Sequence, residues 1–394
     1  MRKLLTAAAL ALVPGLLFAQ FDFKIADRQL QVHSFASQGF MYSNVNNYMT
    51  LPTSKGSFAF TDGGANVSTQ VTDKFRVGAQ FYMRNVGEFG NWRPTVDWAY
   101  GSYRFKSWFG IKGGKVKTVM GLYNDTQDMD FLHTFALLPQ SMYPVDWRSA
   151  SIAHTGGDIF GDLKAGRLGT FSYTGYAGLR PQDRTLGYEY AFKSSNVTFD
   201  YLGGLQVGGD LRLTTNFGAV FGTSYRNQDI DGRGTILRSG VAAPYNQYTV
   251  ADNAMQYYGQ YTFKAFKIDT EYRRNTRDST LFLTASPFKS IVDTRSWYVA
   301  GTYRVHKRLE FGAYRSVYYV DTRKDTSPAA AHLYDNVIAG RVEMTNRWYM
   351  KVEGHFFDGA PTSPAATRGF YTGANPQGLQ PTSNLLVVRT GVSF

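Results

Sequence analysis

Cysteine is absent from the 394 residues, which excludes a disulfide framework, a thiolate zinc site and a lipid-modified N-terminal cysteine. Beyond residue 19 no apolar run approaches the roughly 20 residues that a membrane-spanning helix needs. Histidine is scarce: six residues, with no HxxxH pair among them. No GxSxG elbow and no phosphate-cradling glycine loop occurs. The stretches DTQDMD (Asp125–Asp130) and DIDGRG (Asp229–Gly234) are oxygen-rich but lack the spacing of an EF-hand loop. The sequence therefore implies no cofactor, no metal and no enzyme. Lys and Arg exceed Asp and Glu by 12, yet they come singly or in pairs along the whole chain, which argues against nucleic acid as a partner.

What is present begins at the N-terminus. Arg2 and Lys3 precede an apolar stretch from Leu4 to Ala19, broken once by Pro14, and the chain turns polar and β-prone from Phe21. This is the pattern of a secretory signal peptide over 1–19, leaving 20–394 as one domain. The signal holds two basic residues and no acid, so its removal takes the formal charge from +12 to +10. The chain carries 27 Tyr, 29 Phe and 40 Gly, yet its mean hydropathy is only -0.30. That combination suits strands that are apolar on one side only.

Period-two alternation supports this from end to end. In Lys74–Arg84, Phe75, Val77, Ala79, Phe81 and Met83 share one face, while Lys74, Arg76, Gly78, Gln80, Tyr82 and Arg84 share the other. Phe266–Arg273 and Trp348–Phe356 repeat the pattern, with charges of both signs on the polar face. Such runs give sixteen strands, and eighteen if LGYEYAF and NVTFDYL within 185–202 form one more hairpin. Short turns, such as Thr72-Asp73 and His306-Lys307, alternate with long segments at 123–149, 179–202, 229–253, 277–293 and 359–383. The expected fold is all-β, a transmembrane antiparallel β-barrel with long extracellular loops and short periplasmic turns. Trp108 and Trp348 follow short turns and Trp297 follows a long segment, the heights of two interfacial girdles. The last strand alternates through Leu386, Val388, Thr390 and Val392 to a terminal Phe394, which resembles the signal read by the outer-membrane assembly machinery.

A charge facing lipid costs about 2–4 kcal/mol at the midplane of a barrel, so strand charges are expected to face the lumen. The pore-lining set on that rule is Arg76, Arg84, Lys115, Lys117, Lys267, Arg273, Arg341, Lys351 and Arg389, joined by Arg212, Arg226, Arg304 and Arg315. Asp97, Asp210, Asp269, Glu271, Glu343 and Glu353 oppose them. Either the basic excess gives a modest anion preference, or pairs such as Lys267 with Asp269 and Arg341 with Glu343 cancel most of the field. The segment 123–149 is the expected constriction loop. It is long, and its Phe131, Leu132, Phe135, Leu137, Leu138, Met142 and Trp147 need a surface to pack against. Its charged candidates are Asp125, Asp128, Asp130 and Arg148.

The stretches HSFASQGFMYSNVNNY (His33–Tyr48), DWAYGSYRF (Asp97–Phe105), KVKTVMGLYNDTQDMDF (Lys115–Phe131), LLPQSMY (Leu137–Tyr143) and YMKVEGHFFDG (Tyr349–Gly359), with Phe394, resemble bacterial outer-membrane porins of the phosphate-selective and porin-like families. The resemblance implies a sixteen-strand trimeric pore in the outer membrane whose third long loop folds inward. No complete arginine ladder and lysine cluster of the phosphate-selective kind maps onto this sequence. The expected function is a water-filled channel for passive diffusion of small hydrophilic or anionic solutes. Its partners would be the lipid bilayer of the outer membrane, the assembly machinery and two further copies of itself. The alternatives are a non-conducting adhesion or structural barrel and, further off, a barrel lipase using His154 or His355.

Overall fold

The computed structural model describes residues 21–25, 28–181, 187–193, 195–282, 287–362 and 367–394. The expected signal peptide lies outside the described residues. The strands are β1 (Phe21–Ile25), β2 (Arg28–Ser43), β3 (Ser57–Gln70), β4 (Phe75–Val86), β5 (Thr95–Lys106), β6 (Phe109–Lys117), β7 (Ala153–Lys164), β8 (Gly169–Leu179), β9 (Val197–Gly203), β10 (Leu205–Thr215), β11 (Ala219–Arg238), β12 (Val241–Phe263), β13 (Phe266–Phe282), β14 (Phe288–His306), β15 (Leu309–Tyr319), β16 (His332–Glu343), β17 (Trp348–Asp358) and β18 (Thr382–Ser393).

Sixteen of them close an antiparallel ring. Strands β2 to β8 pair in sequence, β8 pairs β10, β10 to β18 pair in sequence, and β18 returns to β2. The seam is completed by Phe394, whose amide donates to the Ser34 carbonyl at 2.8 Å while the Ser34 amide donates to Phe394 at 3.0 Å. Closure leaves no open edge of unpaired amides and carbonyls, which lipid could not satisfy. The two other strands do not enter the ring. β1 folds back on β2, and β9 pairs only with the loop-side half of β11. An extra hairpin within 185–202 is therefore not formed: Gly187–Lys193 is helical instead, and residues 182–186 and 194 lie outside the described ones. Aromatic packing accounts for the helix, with Tyr190 edge-on to Phe89 and Tyr371, and Phe192 against Phe199 and Tyr245.

Two expected loops are strand instead. Residues 229–253 belong to β11 and β12, which turn at Ser239-Gly240, and most of 277–293 continues β13 and β14. Bulges at Gln228/Ile230 and Thr249/Ala251 shift the alternation by one residue and hide this continuity in the sequence.

Phe81, Ile159, Phe171, Leu211, Phe221 and Ile338 stand exposed on the outer face, while Gln80, Arg84, Asp210, Glu271 and Lys351 are buried on the inner one. This is inverted relative to a soluble sheet and fits a bilayer. Trp108 and Trp348 are exposed at the turn ends. Trp297 lies nine residues from the turn end of β14. At ~3.3 Å per residue and a tilt near 40° that is about 23 Å up, matching an apolar band about 25 Å tall. Just beyond it the outer face becomes charged, with Arg274 and Arg295 at 2.9 and 3.6 Å from Asp293. The extensions of β11 to β14 thus rise above the apolar band.

Candidate functional site

The segment between β6 and β7 turns into the barrel at Gly121, whose φ of +69° suits glycine. A Cβ there would collide with Gln256, Glu271 and Tyr143. The Gly121 amide donates to Ser224 Oγ at 2.9 Å and its carbonyl accepts from Arg212 at 3.0 Å. From this point the loop is bonded to the wall at most of the ring. Tyr143 Oη donates to Glu271 at 2.5 Å, as does Tyr298 at 2.8 Å, and the Leu122 amide reaches the same carboxylate at 3.2 Å. Glu353 accepts the amides of Ala136 and Leu137 at 2.5 and 3.3 Å. Lys351 Nζ donates to Asp130 at 2.7 Å, and Arg389 bridges Asp130 and Asp62 at 3.3 and 2.8 Å. At the loop's far end Arg148 pairs with Asp97 at 2.6 Å and Asp128 at 3.5 Å, while Lys117 holds Asp128 at 2.9 Å.

Three of the four loop charges expected from sequence thus meet wall charges. Asp125 offers Lys117 its backbone carbonyl at 2.6 Å rather than its carboxylate. Among the wall residues, Arg84 donates to the Val145 carbonyl, Arg273 to the Met142 carbonyl at 3.1 Å, and Arg341 to Glu343 at 2.7 Å and to the His133 carbonyl. Lys267 sits 3.1 Å from Asp269, and Arg76 bonds to Ser68 at 2.8 Å on the turn side.

Two residues of the expected lining face outwards. Lys115 shares its face with the exposed Ile111, pairs across to Thr155, and donates to the Val96 carbonyl at 2.6 Å. Arg315 follows Phe311 on the outer face and bonds to Asn336 at 2.9 Å. Each finds an acceptor on the outer face, Lys115 in the Val96 carbonyl and Arg315 in the Asn336 side chain, so the rule that sends charge inward does not hold at these two positions. Of the eleven expected basic residues that remain inside, eight lie within 4.0 Å of a carboxylate. Arg76, Arg84 and Arg273 make no ion pair among the described residues.

Glu271 and Glu353 read in the sequence as wall charges, but here they grip loop amides and hydroxyls. Tyr123 and Tyr143, the loop residues that reach β13, carry no sequence signal beyond their aromatic character. In the loop, burial would raise Asp128 and Asp130, yet Lys117 and Arg148 hold the first below the usual carboxylate range, and Arg389 and Lys351 the second. Burial pushes His133 down to about 4. Burial also raises Asp146, which accepts from the Tyr371 hydroxyl and the Gly369 amide.

Between loop and wall lie small spaces of about 40 Å³ beside Asp62, Arg84 and Arg389 and about 10 Å³ beside Tyr123 and Lys267. Larger cavities of about 430 and 370 Å³ open below the loop on the turn side. The turns and the strand residues that end on them carry Lys74, Lys106, Lys164, Arg167, Lys264, Lys307, Arg308 and Arg347, against Asp73 and Glu343.

The two histidines considered for hydrolysis are both internal. His355 lies between Asp335 and Glu353 at 3.0 and 2.9 Å. His154 links Thr118 Oγ1 (3.0 Å) to Asp158 (2.8 Å), an acid–base–hydroxyl order, but Thr118 is 1% exposed and already bonded by Gln206. Neither offers a hydroxyl to substrate. No group of three or more metal-ligating side chains occurs among the described residues.

A closed sixteen-strand barrel with a long third connection bonded inside it defines the general bacterial porin fold. No family model and no curated protein matches the sequence. Solved structures do match. Outer-membrane expressed OmpT of Vibrio cholerae aligns with a TM-score of 0.57 at 12% identity, over 95% of this chain and 100% of that one. Salmonella typhi OmpF in complex with daunomycin aligns at 0.56 and 11%, over 93% and 98%. The anion-selective porin from Comamonas acidovorans aligns at 0.54 and 10%, over 93% and 100%. At such identities the likeness is one of fold.

Proposed function

We propose that the chain is an outer-membrane diffusion channel, exported by cleavage after residue 19, whose third loop sets a narrow constriction for small hydrophilic solutes. The observation that carries this reading is the loop itself. It is held inside the barrel by buried ion pairs between Asp130 and Lys351 and between Arg148 and Asp97, in a lumen whose lining is charged rather than apolar. Because most inner charges are paired, the field left to act on ions is small, and the anion preference is modest. Assembly as a homotrimer is part of the same reading; one solved form of the Vibrio cholerae OmpT is a trimer. Phe394, at the seam, would serve the assembly machinery.

A second reading, a barrel closed at rest, is favoured by the small volumes left between loop and wall. The reversal potential of the refolded protein in a planar bilayer under a potassium chloride gradient separates the two. Discrete conductance steps with a chloride-directed potential support the channel and its basic lining. A potassium-directed potential keeps the channel and overturns the anion preference. Properly folded protein without steps overturns the channel.

A further inference from the structure

The bowl below the inward loop has a composition unlike the rest of the lumen. Its ceiling is apolar: Phe131 lines both large cavities, and Leu132, at the same tip, is 55% exposed although it lies inside the barrel. Its wall and rim are basic. Arg341 borders both cavities, while Lys307, Arg308 and Arg347 line the larger one opposite Phe131, and Leu132 lines the smaller. Arg341 is neutralised by Glu343, but Lys307, Arg308 and Arg347 make no ion pair among the described residues. A water-facing leucine at the loop tip, with three uncompensated cations facing Phe131 in the neighbouring cavity, is an arrangement that internal structure does not need. The leucine gains nothing from water, and the cations repel one another.

We propose that this bowl binds small organic anions with an apolar body, carboxylates or sulfonates of benzene size and larger. The apolar part would cover Phe131, and the anionic head would lie among Lys307, Arg308 and Arg347. A cavity of about 430 Å³ falls within the range of small-molecule sites. The excess of basic residues on the surrounding turns raises the local concentration of anions at this mouth. The site is independent of whether the barrel conducts.

Calorimetry on the full mature barrel in nanodiscs, titrated with benzoate, acetate and benzylammonium, tests it. Benzoate is expected to bind at least tenfold tighter than acetate, and benzylammonium not at all. The double variant Lys307→Glu/Arg308→Glu should weaken benzoate at least tenfold. Phe131→Ser should bring benzoate toward acetate, and higher salt should weaken benzoate binding to the parent barrel. Benzoate no tighter than acetate, or unaffected by the charge reversal, overturns the proposal; if that variant fails to fold, Phe131→Ser and the salt series decide. Conductance measured on the same preparation judges the channel separately.

Discussion

Arg148 meets Asp97 through both terminal guanidinium nitrogens, one to each carboxylate oxygen, at 3.0 and 2.6 Å. The pair joins the end of the inward loop to β5, with the two side chains only 5% and 4% exposed. Removing one partner from a buried pair leaves a charge without compensation, at a cost of about 3–5 kcal/mol, whereas removing both leaves none. Arg148→Ala is therefore expected to lower resistance to urea by a few kcal/mol, Asp97→Ala by less because Asp128 still lies 3.5 Å from Arg148, and the double variant by clearly less than their sum. In a bilayer Arg148→Ala should also give larger and noisier conductance steps, because the loop loses its anchor. Additive losses in the double-mutant cycle would show that the contact has no mechanical role.

Gly121→Ala addresses the entry of the same loop. A left-handed backbone costs an L-residue about 1–2 kcal/mol. Here the added methyl must also displace Gln256, Glu271 or Tyr143. The barrel strands should still form, while the loop seats poorly. Limited proteolysis of the folded variant should cut between 118 and 152, where the parent protein resists; an equally resistant variant would contradict this account.

The ring was legible in the sequence because alternation is enforced wherever one face meets lipid and the other meets water. Lys74–Arg84 and Phe266–Arg273 show this without ambiguity. Legibility failed where that constraint lapses. Above the apolar band the outer face of β11 to β14 no longer meets lipid, while inside Ile230 and Tyr245 are buried against Val197, Phe199 and Leu202. Bulges near Gln228 and Thr249 also reset the phase, so strand read as loop. At Lys115 and Arg315 the outward charge is met by an acceptor on the outer face, so charge did not report direction. The loop's length and aromatic content pointed inward, but its partners could not be read. Glu353 meets Ala136 across 217 residues and Glu271 meets Tyr143 across 128, and no local pattern encodes such pairings.

Acid should loosen the loop. Buried His133 has its pKa pushed down to about 4, and its Nε2 lies 2.9 Å from the Thr126 carbonyl. In the unfolded chain the ring titrates near 6.5. The neutral ring's contribution is thus fully present above pH 6.5, falls as pH drops toward 4, and changes no further below that. Linkage puts the loss at about 3 kcal/mol in order of magnitude. Asp128 and Asp130, held below the usual carboxylate range, add a loss only at still lower pH. Because the chain has no cysteine, Leu138→Cys gives a single reporter for thiol labelling. Its labelling rate should rise between pH 6.5 and 4, and His133→Gln should flatten that rise.

Ion preference should follow unpaired charge rather than total charge. Arg76 is exposed to the turn-side lumen and makes no ion pair among the described residues. Arg304 is also exposed but lies 2.7 Å from Glu310, so the two act on a passing ion almost as a dipole. Arg76→Gln should move the reversal potential toward potassium. Arg304→Gln/Glu310→Gln, which removes one charge of each sign, should leave it close to the parent value. Arg304→Gln alone should move it further than the double variant, because Glu310 is then left facing the lumen without its partner. Equal shifts from Arg76→Gln and from the neutral double variant would mean that pairing does not govern the field, and the modest anion preference would need another source.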